Sequence, residues 1–337
     1  MESMEIQQGQ KIAKIITKLG YECYCVDGRT APQLTKYDFN LKNILHLQKV
    51  ARIIPNLSAL IKKKLTMTES SEAHFSLFVS NSIRNFIELK RLGLFMKQAP
   101  KLSAMIGVDT DGIAQTVKLE DMPHMIVGGQ SGGGKSVLLS SVIMSLCCYN
   151  SPKDLGLVLI DAKRLEFNKF KKLPHLITPV INEVEDAKTV LIRLVGEMEA
   201  RYEALEMLGL SKNDGHLKQI VVVIDELSDL ILNDDEIKSL LVRLLQKARA
   251  CGMTFICATQ SVRAKVLDGN MLANAPCRVA LTCANVRESM LIIGHKGAES
   301  LQGKGDAILK TADGKEYRLQ IPYITNEDIS VLIGGKR

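Results

Sequence analysis

The C-terminal two thirds of the chain alternate short apolar runs with longer stretches of mixed character. Met125–Val127, Leu157–Asp161, Ile220–Ile224, Thr254–Ala258 and Arg278–Leu281 have strand length. Lys135–Cys148, Glu185–Leu208 and Ile237–Ala250 fill the gaps with helical length. Ile220-Val221-Val222-Val223-Ile224 is continuously β-branched, the pattern of a strand buried on both faces of a parallel sheet. This alternation predicts an α/β fold with a mainly parallel sheet. The first hundred residues read differently. Residues 8–20 form an amphipathic helical pattern ending at Gly20, and Tyr21–Asp27 and Leu34–Leu41 read as strands around the turn at residues 28–32. A helix is expected over Asn43–Ile53, stopping before Pro55, then a short element over Ser58–Leu65 and a strand over His74–Val79. A small α+β domain (1–95), a larger α/β domain (96–329) and a tail (330–337) are therefore expected, with the boundary near Met96–Pro100.

Candidate chemistry sits at strand ends. Gly129-Gln130-Ser131-Gly132-Gly133-Gly134-Lys135-Ser136 fits G-x-x-x-x-G-K-[ST], between a strand-like and a helix-like run. Such glycines let backbone N–H groups cradle phosphate oxygens at a helix N-terminus. Lys135 is placed to reach the β- and γ-phosphates of a nucleoside triphosphate, and Ser136 to offer its hydroxyl to Mg²⁺. The apolar strand ending at Ile224 runs into Asp225-Glu226. Two acids at a buried strand end call for a cation nearby. Asp225 is suited to hold Mg²⁺ through its water shell, and Glu226 to act as general base on water. Gln260 follows the next strand and could contact the γ-phosphate or the attacking water. An arginine from a neighbouring copy would complete such a site. Arg243, Arg249 and Arg278 all flank the Thr254–Ala258 strand, and residue pattern alone does not choose among them.

Composition narrows the setting. The net charge of +7 lies in residues 1–100, which hold 15 Lys/Arg against 8 Asp/Glu; residues 101–337 hold 29 of each. A basic N-terminal module faces nucleic acid or an acidic membrane surface, or is an ordinary solvated surface. No apolar run approaches the ~20 residues of a membrane span, and the first residues lack a signal-peptide pattern, so a cytoplasmic chain is expected. The eight cysteines form no C-x-x-C pair and mostly lie in apolar runs, as small buried hydrophobes do.

The motifs in their order resemble the motor of the FtsK/SpoIIIE family of double-stranded DNA translocases. The resemblance is carried by residues 122–129 leading into the loop, by Leu159-Ile160-Asp161-Ala162-Lys163-Arg164-Leu165-Glu166 and by Leu173-Pro174-His175-Leu176-Ile177-Thr178-Pro179-Val180. Gln246-Lys247-Ala248-Arg249-Ala250-Cys251-Gly252 and Gly297–Leu301 followed by Gly303–Asp306 continue it. Ala31–Phe39 is similar to a segment of the family's small N-terminal motor domain. The resemblance implies a RecA-like ATPase domain after a small α domain, and ATP with Mg²⁺ as nucleotide and cofactor. It also implies a homohexameric ring with duplex DNA in its channel, and Arg249 as the finger acting on a neighbour's ATP. Ser261, Leu272 and Met290 stand where the family has basic residues that face DNA; Arg263, Lys265 and Arg287, a step or two away, are the candidate replacements. The family's membrane-spanning part and winged-helix DNA reader have no counterpart in this sequence, so recruitment by another protein is expected. Driving protein export, as type VII secretion motors of this kind do, is the alternative.

Overall fold

The computed structural model describes residues 3–69, 73–82 and 85–334. Residues 335–337 of the expected tail lie outside them. The chain forms two compact units: Met1–Ile87 with Val108–Ile113, and Glu88–Gly107 with Ala114–Arg337.

In the first unit, α1 (Met4–Lys18), β1 (Cys23–Thr30), β2 (Leu34–Leu41), α2 (Leu47–Ile61), β3 (Leu65–Glu69) and β4 (His74–Ser80) succeed one another. The strands make an antiparallel sheet of order β1-β2-β4-β3. Ile16, Phe39, Val50, Leu57, Phe75 and Leu77 form its core, with the Phe39 and Phe75 rings stacked at 5.1 Å. One expectation fails here: α2 runs through Pro55 instead of ending before it. Pro55 removes one helical donor, about 3 kcal/mol in an isolated helix. Val50, Ile54 and Leu57, buried along one face on either side of it, oppose that loss. The helix ends at Lys62, whose left-handed φ of 54° turns the chain. Ser58–Leu65 is thus the last turn of α2, a turn and the first residue of β3.

Gly9 lets α1 lie close on β1: a Cβ there would meet Cys25 Sγ at 2.3 Å and the Tyr37 ring at 2.9 Å. Gly9→Val is expected to destabilise this unit by about 1–3 kcal/mol through overpacking. Urea unfolding followed by tyrosine fluorescence measures this, and an unchanged midpoint would refute the packing argument.

The second unit begins with α3 (Gly93–Gln98), β5 (Ser103–Asp109, of which residues 108 and 109 fall in the first unit), β6 (Ala114–Lys118), β7 (His124–Gly128) and α4 (Lys135–Tyr149). It continues through β8 (Leu155–Ile160), α5 (Val184–Met207), β9 (Gln219–Ile224), α6 (Leu227–Ile231), α7 (Asp235–Lys247) and β10 (Met253–Thr259). It closes with α8 (Gly269–Asn274), β11 (Cys277–Ala280), α9 (Val286–Ile293), β12 (Asp306–Lys310), β13 (Glu316–Gln320) and α10 (Asn326–Ile333). Met96, expected near a linker, is a buried residue of α3.

The sheet order is β6-β5-β13-β12-β11-β7-β10-β9-β8. The five expected strands are its parallel half, β11-β7-β10-β9-β8. The antiparallel hairpin β12–β13 extends it beyond β11, so the whole sheet is mixed. Val158, Val222, Ile224, Phe255 and Cys257 are buried on the parallel half, under Leu191, Leu194 and Met198 of α5 and Leu241 and Leu244 of α7. All eight cysteines are thiols outside any disulfide, and six are buried. Burial raises the thiols of Cys257 and Cys277 to about 12, which keeps them protonated and inert. Among the described residues no helix is long and apolar enough to cross a membrane.

Candidate active site

Parallel strands point their carboxyl ends to one edge, where ligands of such sheets bind. β7 delivers the glycine loop there, β9 delivers Asp225 and Glu226, and β10 delivers Thr259 and Gln260. The loop needs its glycines. Gly129 has φ 152°, and a Cβ on it would sit 2.6 Å from Leu281 Cβ. Gly134 has φ 116°, and its Cβ would press on the Gly305 backbone at 3.0 Å. Three strand ends fasten the loop: Gly129 N donates to Thr259 O (3.4 Å), Gln130 N to Thr282 O (2.8 Å), and Gly305 N to Gly133 O (2.9 Å). Gly129→Ala is therefore expected to weaken nucleotide binding by displacing the loop from Leu281, read as a rise in the Kd of a fluorescent ATP analogue. Binding like wild type would refute the close-approach argument.

Lys135, 5% exposed, opens α4. Its Nζ donates to Asp225 O at 2.8 Å and lies 3.1 Å from Asp225 Oδ1 and 3.4 Å from Glu226 Oε2. The lysine thus bridges both acids. Asp225 and Glu226 are each 3% exposed, yet their environments push them apart. Burial raises the Asp225 carboxyl above its ordinary range; Lys135 opposes this, while the charges of Glu166 and Asp161 add to it. Burial also works against the Glu226 carboxylate, but hydrogen bonds from Thr259 and Ser228, the Lys135 charge and the Gln260 N–H together hold it below the usual range. Its Oε1 accepts from Thr259 Oγ1 (2.7 Å), Ser228 Oγ (2.8 Å) and Gln260 N (3.0 Å). Lys163 Nζ stands 3.7 Å from Oε2. Glu226 is an ionised, rigidly held carboxylate, the state a base requires.

The structure brings the loop residues, Lys135, Ser136, Asp225, Glu226 and Gln260 to one edge. The Gln260 side chain points at the loop, accepting from Ser131 Oγ. Arg249 is elsewhere. It lies between α7 and β10, at the amino edge of the sheet. The seven residues of β10 separate the two edges by roughly 20 Å, beyond reach of its own loop. The rival arginines are engaged: Arg243 pairs with Glu199 at 2.9 Å, and Arg278 donates to the carbonyls of Leu272 and Ile292. Arg249 is exposed and makes one long contact, 3.4 Å to Glu120 O. Arg263 and Lys265 are exposed on the loop after β10, between the buried anchors Val262 and Val266, and Arg287 is exposed on α9.

Residue pattern missed three members of the cluster. Thr259 donates to Glu226, Lys163 flanks it, and Glu166 accepts from Ser136 Oγ at 2.6 Å. The polar ending of Leu159–Glu166 after a buried strand was the available signal for the last two.

An all-oxygen set of Ser136 and Asp225 beside phosphates fits Mg²⁺, which takes one or two carboxylates plus phosphate oxygens. Asp225 Oδ1 is buried and accepts no well-aligned hydrogen bond. Among the described residues no three His, Cys, Asp or Glu side chains cluster as a cage for a metal.

Fold and edge together define a phosphate-loop ATPase domain. Residues 86–216 match the profile of the FtsK/SpoIIIE family. The DNA translocase FtsK of Leptospira interrogans serogroup Icterohaemorrhagiae serovar copenhageni is 31% identical over 97% of this chain and 37% of that protein. FtsK of Chlamydia trachomatis serovar D is 37% identical over 75% of this chain and 34% of its own length. The DNA translocase SftA of Bacillus subtilis is 29% identical over 91% of this chain and 34% of its own length. The chain belongs to the FtsK/SpoIIIE family, and it spans about a third of the length of these curated relatives. The fold is similar to the pCW3 conjugation coupling protein TcpA, monomer form with ATPγS, at TM-score 0.68 and 19% identity, covering 99% of this chain and 100% of that one. It is also similar to the cytoplasmic domain of the type VII secretion ATPase EccC of Thermomonospora curvata, at TM-score 0.62 and 24% identity over 69% of this chain and 31% of that one.

Proposed function

We propose that this chain is the ATP-driven motor of a double-stranded DNA translocase, working as a ring of six copies. The observation that carries the reading is the division of the site. One sheet edge holds the phosphate loop, the lysine-bridged acids and Gln260, while the exposed Arg249, with its one long contact to Glu120 O, stands on the opposite edge. Such a chain is complete only when a neighbour supplies Arg249. The relatives named DNA translocase add the substrate.

In this reading the loop amides and Lys135 hold the β- and γ-phosphates. Mg²⁺, held by Ser136 and Asp225, would neutralise phosphate charge. Glu226 takes a proton from water as the water oxygen bonds to the γ-phosphorus; the bond from that phosphorus to the β–γ bridging oxygen breaks, and ADP leaves. The neighbour's Arg249 offsets the charge spread over the transferring group. Gln260, joined to Ser131, passes the state of the phosphates to the loop carrying Arg263 and Lys265. Arg287 is the third proposed DNA contact. Residues 1–95 would be the ring's small domain, and an unidentified partner would recruit the motor in the cytoplasm.

Linear duplex DNA is expected to raise ATP turnover several-fold, and longer duplexes to do so more than short ones. A coupled phosphate-release assay measures it, and turnover indifferent to duplex of any length would sink the reading. Ser261, Leu272 and Met290, in place of the family's basic residues, favour a second reading: export of a protein by the same engine. Stimulation by a peptide signal and not by duplex would establish that alternative.

A further inference from the structure

A hydroxyl that offers lone pairs to a cation must send its own proton elsewhere. Asp225, the carboxylate expected beside the cation, is turned toward Lys135 instead, with Nζ 3.1 Å from its Oδ1. The acceptor for Ser136 is Glu166: Ser136 Oγ donates to Glu166 Oε1 at 2.6 Å. The strand end β8 holds Glu166 there. Asp161, fully buried, accepts from the backbone N–H of Glu166 (2.8 Å) and of Phe167 (2.9 Å) through Oδ2. Arg164, at φ 62°, makes the tight turn between them. Phe167 and Phe170, both buried, anchor the chain beyond Glu166.

The surroundings suit a cation: Asp161 Oδ1 is buried and, among the described residues, accepts no hydrogen bond. Lys169 Nζ lies 3.9 Å from Glu166 Oε2, the oxygen that does not accept from Ser136.

We propose that Glu166 is a positioning residue of the nucleotide-cation site: it accepts the hydrogen bond of the Ser136 hydroxyl and so turns the hydroxyl lone pairs toward the cation. This rests on the ATPase reading above and adds a residue outside the phosphate-loop and Asp-Glu motifs. Removing an outer hydrogen-bond partner of a metal ligand costs about tenfold in metal affinity.

The test is Mn²⁺ binding to the ADP complex, followed by electron paramagnetic resonance, beside ADP binding in EDTA. Glu166→Ala is expected to weaken Mn²⁺ by about tenfold while ADP affinity in EDTA stays at the wild-type value. Glu166→Gln, whose amide oxygen still accepts from Ser136, is expected to fall between alanine and wild type. Wild-type Mn²⁺ affinity in Glu166→Ala overturns the proposal alone. So does an equal loss of ADP affinity with and without Mn²⁺ in both variants, which marks a structural role, and so does a glutamine variant as weak as alanine. A wild-type protein whose ADP binding gains nothing from Mn²⁺ overturns the cation reading and this proposal together.

Discussion

Lys135→Ala is expected to abolish ATP turnover, to weaken nucleotide binding roughly a hundredfold and to lower thermal stability. The binding loss comes from removing one partner of a buried, hydrogen-bonded charge pair, about 3 kcal/mol. The stability loss is less obvious and comes from the geometry. With 5% exposure, Lys135 is the buried cation between Asp225 and Glu226. Removing it strands two buried carboxylates, a loss of roughly 3 kcal/mol. The pH dependence has a definite sign. Burial already raises Asp225 above its ordinary range, and Lys135 opposes that rise. Without the lysine, Asp225 binds its proton still more tightly in the folded state than in the unfolded one. Stability from such a group is present at low pH and lost as pH rises through the folded pKa. The melting deficit of Lys135→Ala should therefore narrow from neutral toward mildly acid solution. Melting curves across that range, with a fluorescent ATP analogue for binding, measure both effects. A variant that binds like wild type, or whose deficit widens in acid, refutes the bridge.

Glu226→Gln is expected to lower turnover by about 10²–10⁴, the range for a lost general base, while nucleotide binding survives. The amide keeps the volume, and its oxygen can still accept from Thr259, Ser228 and Gln260 N, which now meet at Glu226 Oε1. The fold is thus expected to persist and ATP to accumulate on the protein. Single-turnover phosphate release beside equilibrium binding separates the two steps. Turnover within a few-fold of wild type would remove Glu226 from the role of base.

The legible parts of this molecule were those written locally. The phosphate loop needs one strand, eight residues and one helix in succession. The five parallel strands are apolar runs that declare themselves before any contact is known. Asp225-Glu226 is the polar end of such a run. What depended on tertiary contact was hidden. Pro55 reads as a helix stop, yet buried neighbours carry α2 through it. β12 and β13 are short strands of mixed polarity; Asp313-Gly314 between them is a local hairpin signal, but the pairing of that hairpin with β11 is set by tertiary contact. Arg243, Arg249 and Arg278 were equivalent on residue pattern, and the family resemblance alone singled out Arg249; in space Arg243 and Arg278 are engaged, while Arg249 makes one long contact. Glu166 lies 30 residues from Ser136 in sequence, and only the return of β8 beside β9 brings its carboxylate to the loop.

In the motor proposed above, the fastening of the phosphate loop to Thr259, Thr282 and Gly305 bears on how force would be transmitted. A slack loop would spend part of the nucleotide's binding free energy on its own ordering. This one has little freedom left to lose, so it acts as a stiff receiver. In that motor, recoil on phosphate departure would be taken up by the three strand ends that hold it. Two of those ends, Thr259 and Thr282, lead directly into the segments bearing Arg263, Lys265 and Arg287, so transmission would begin one hydrogen bond away from the fuel.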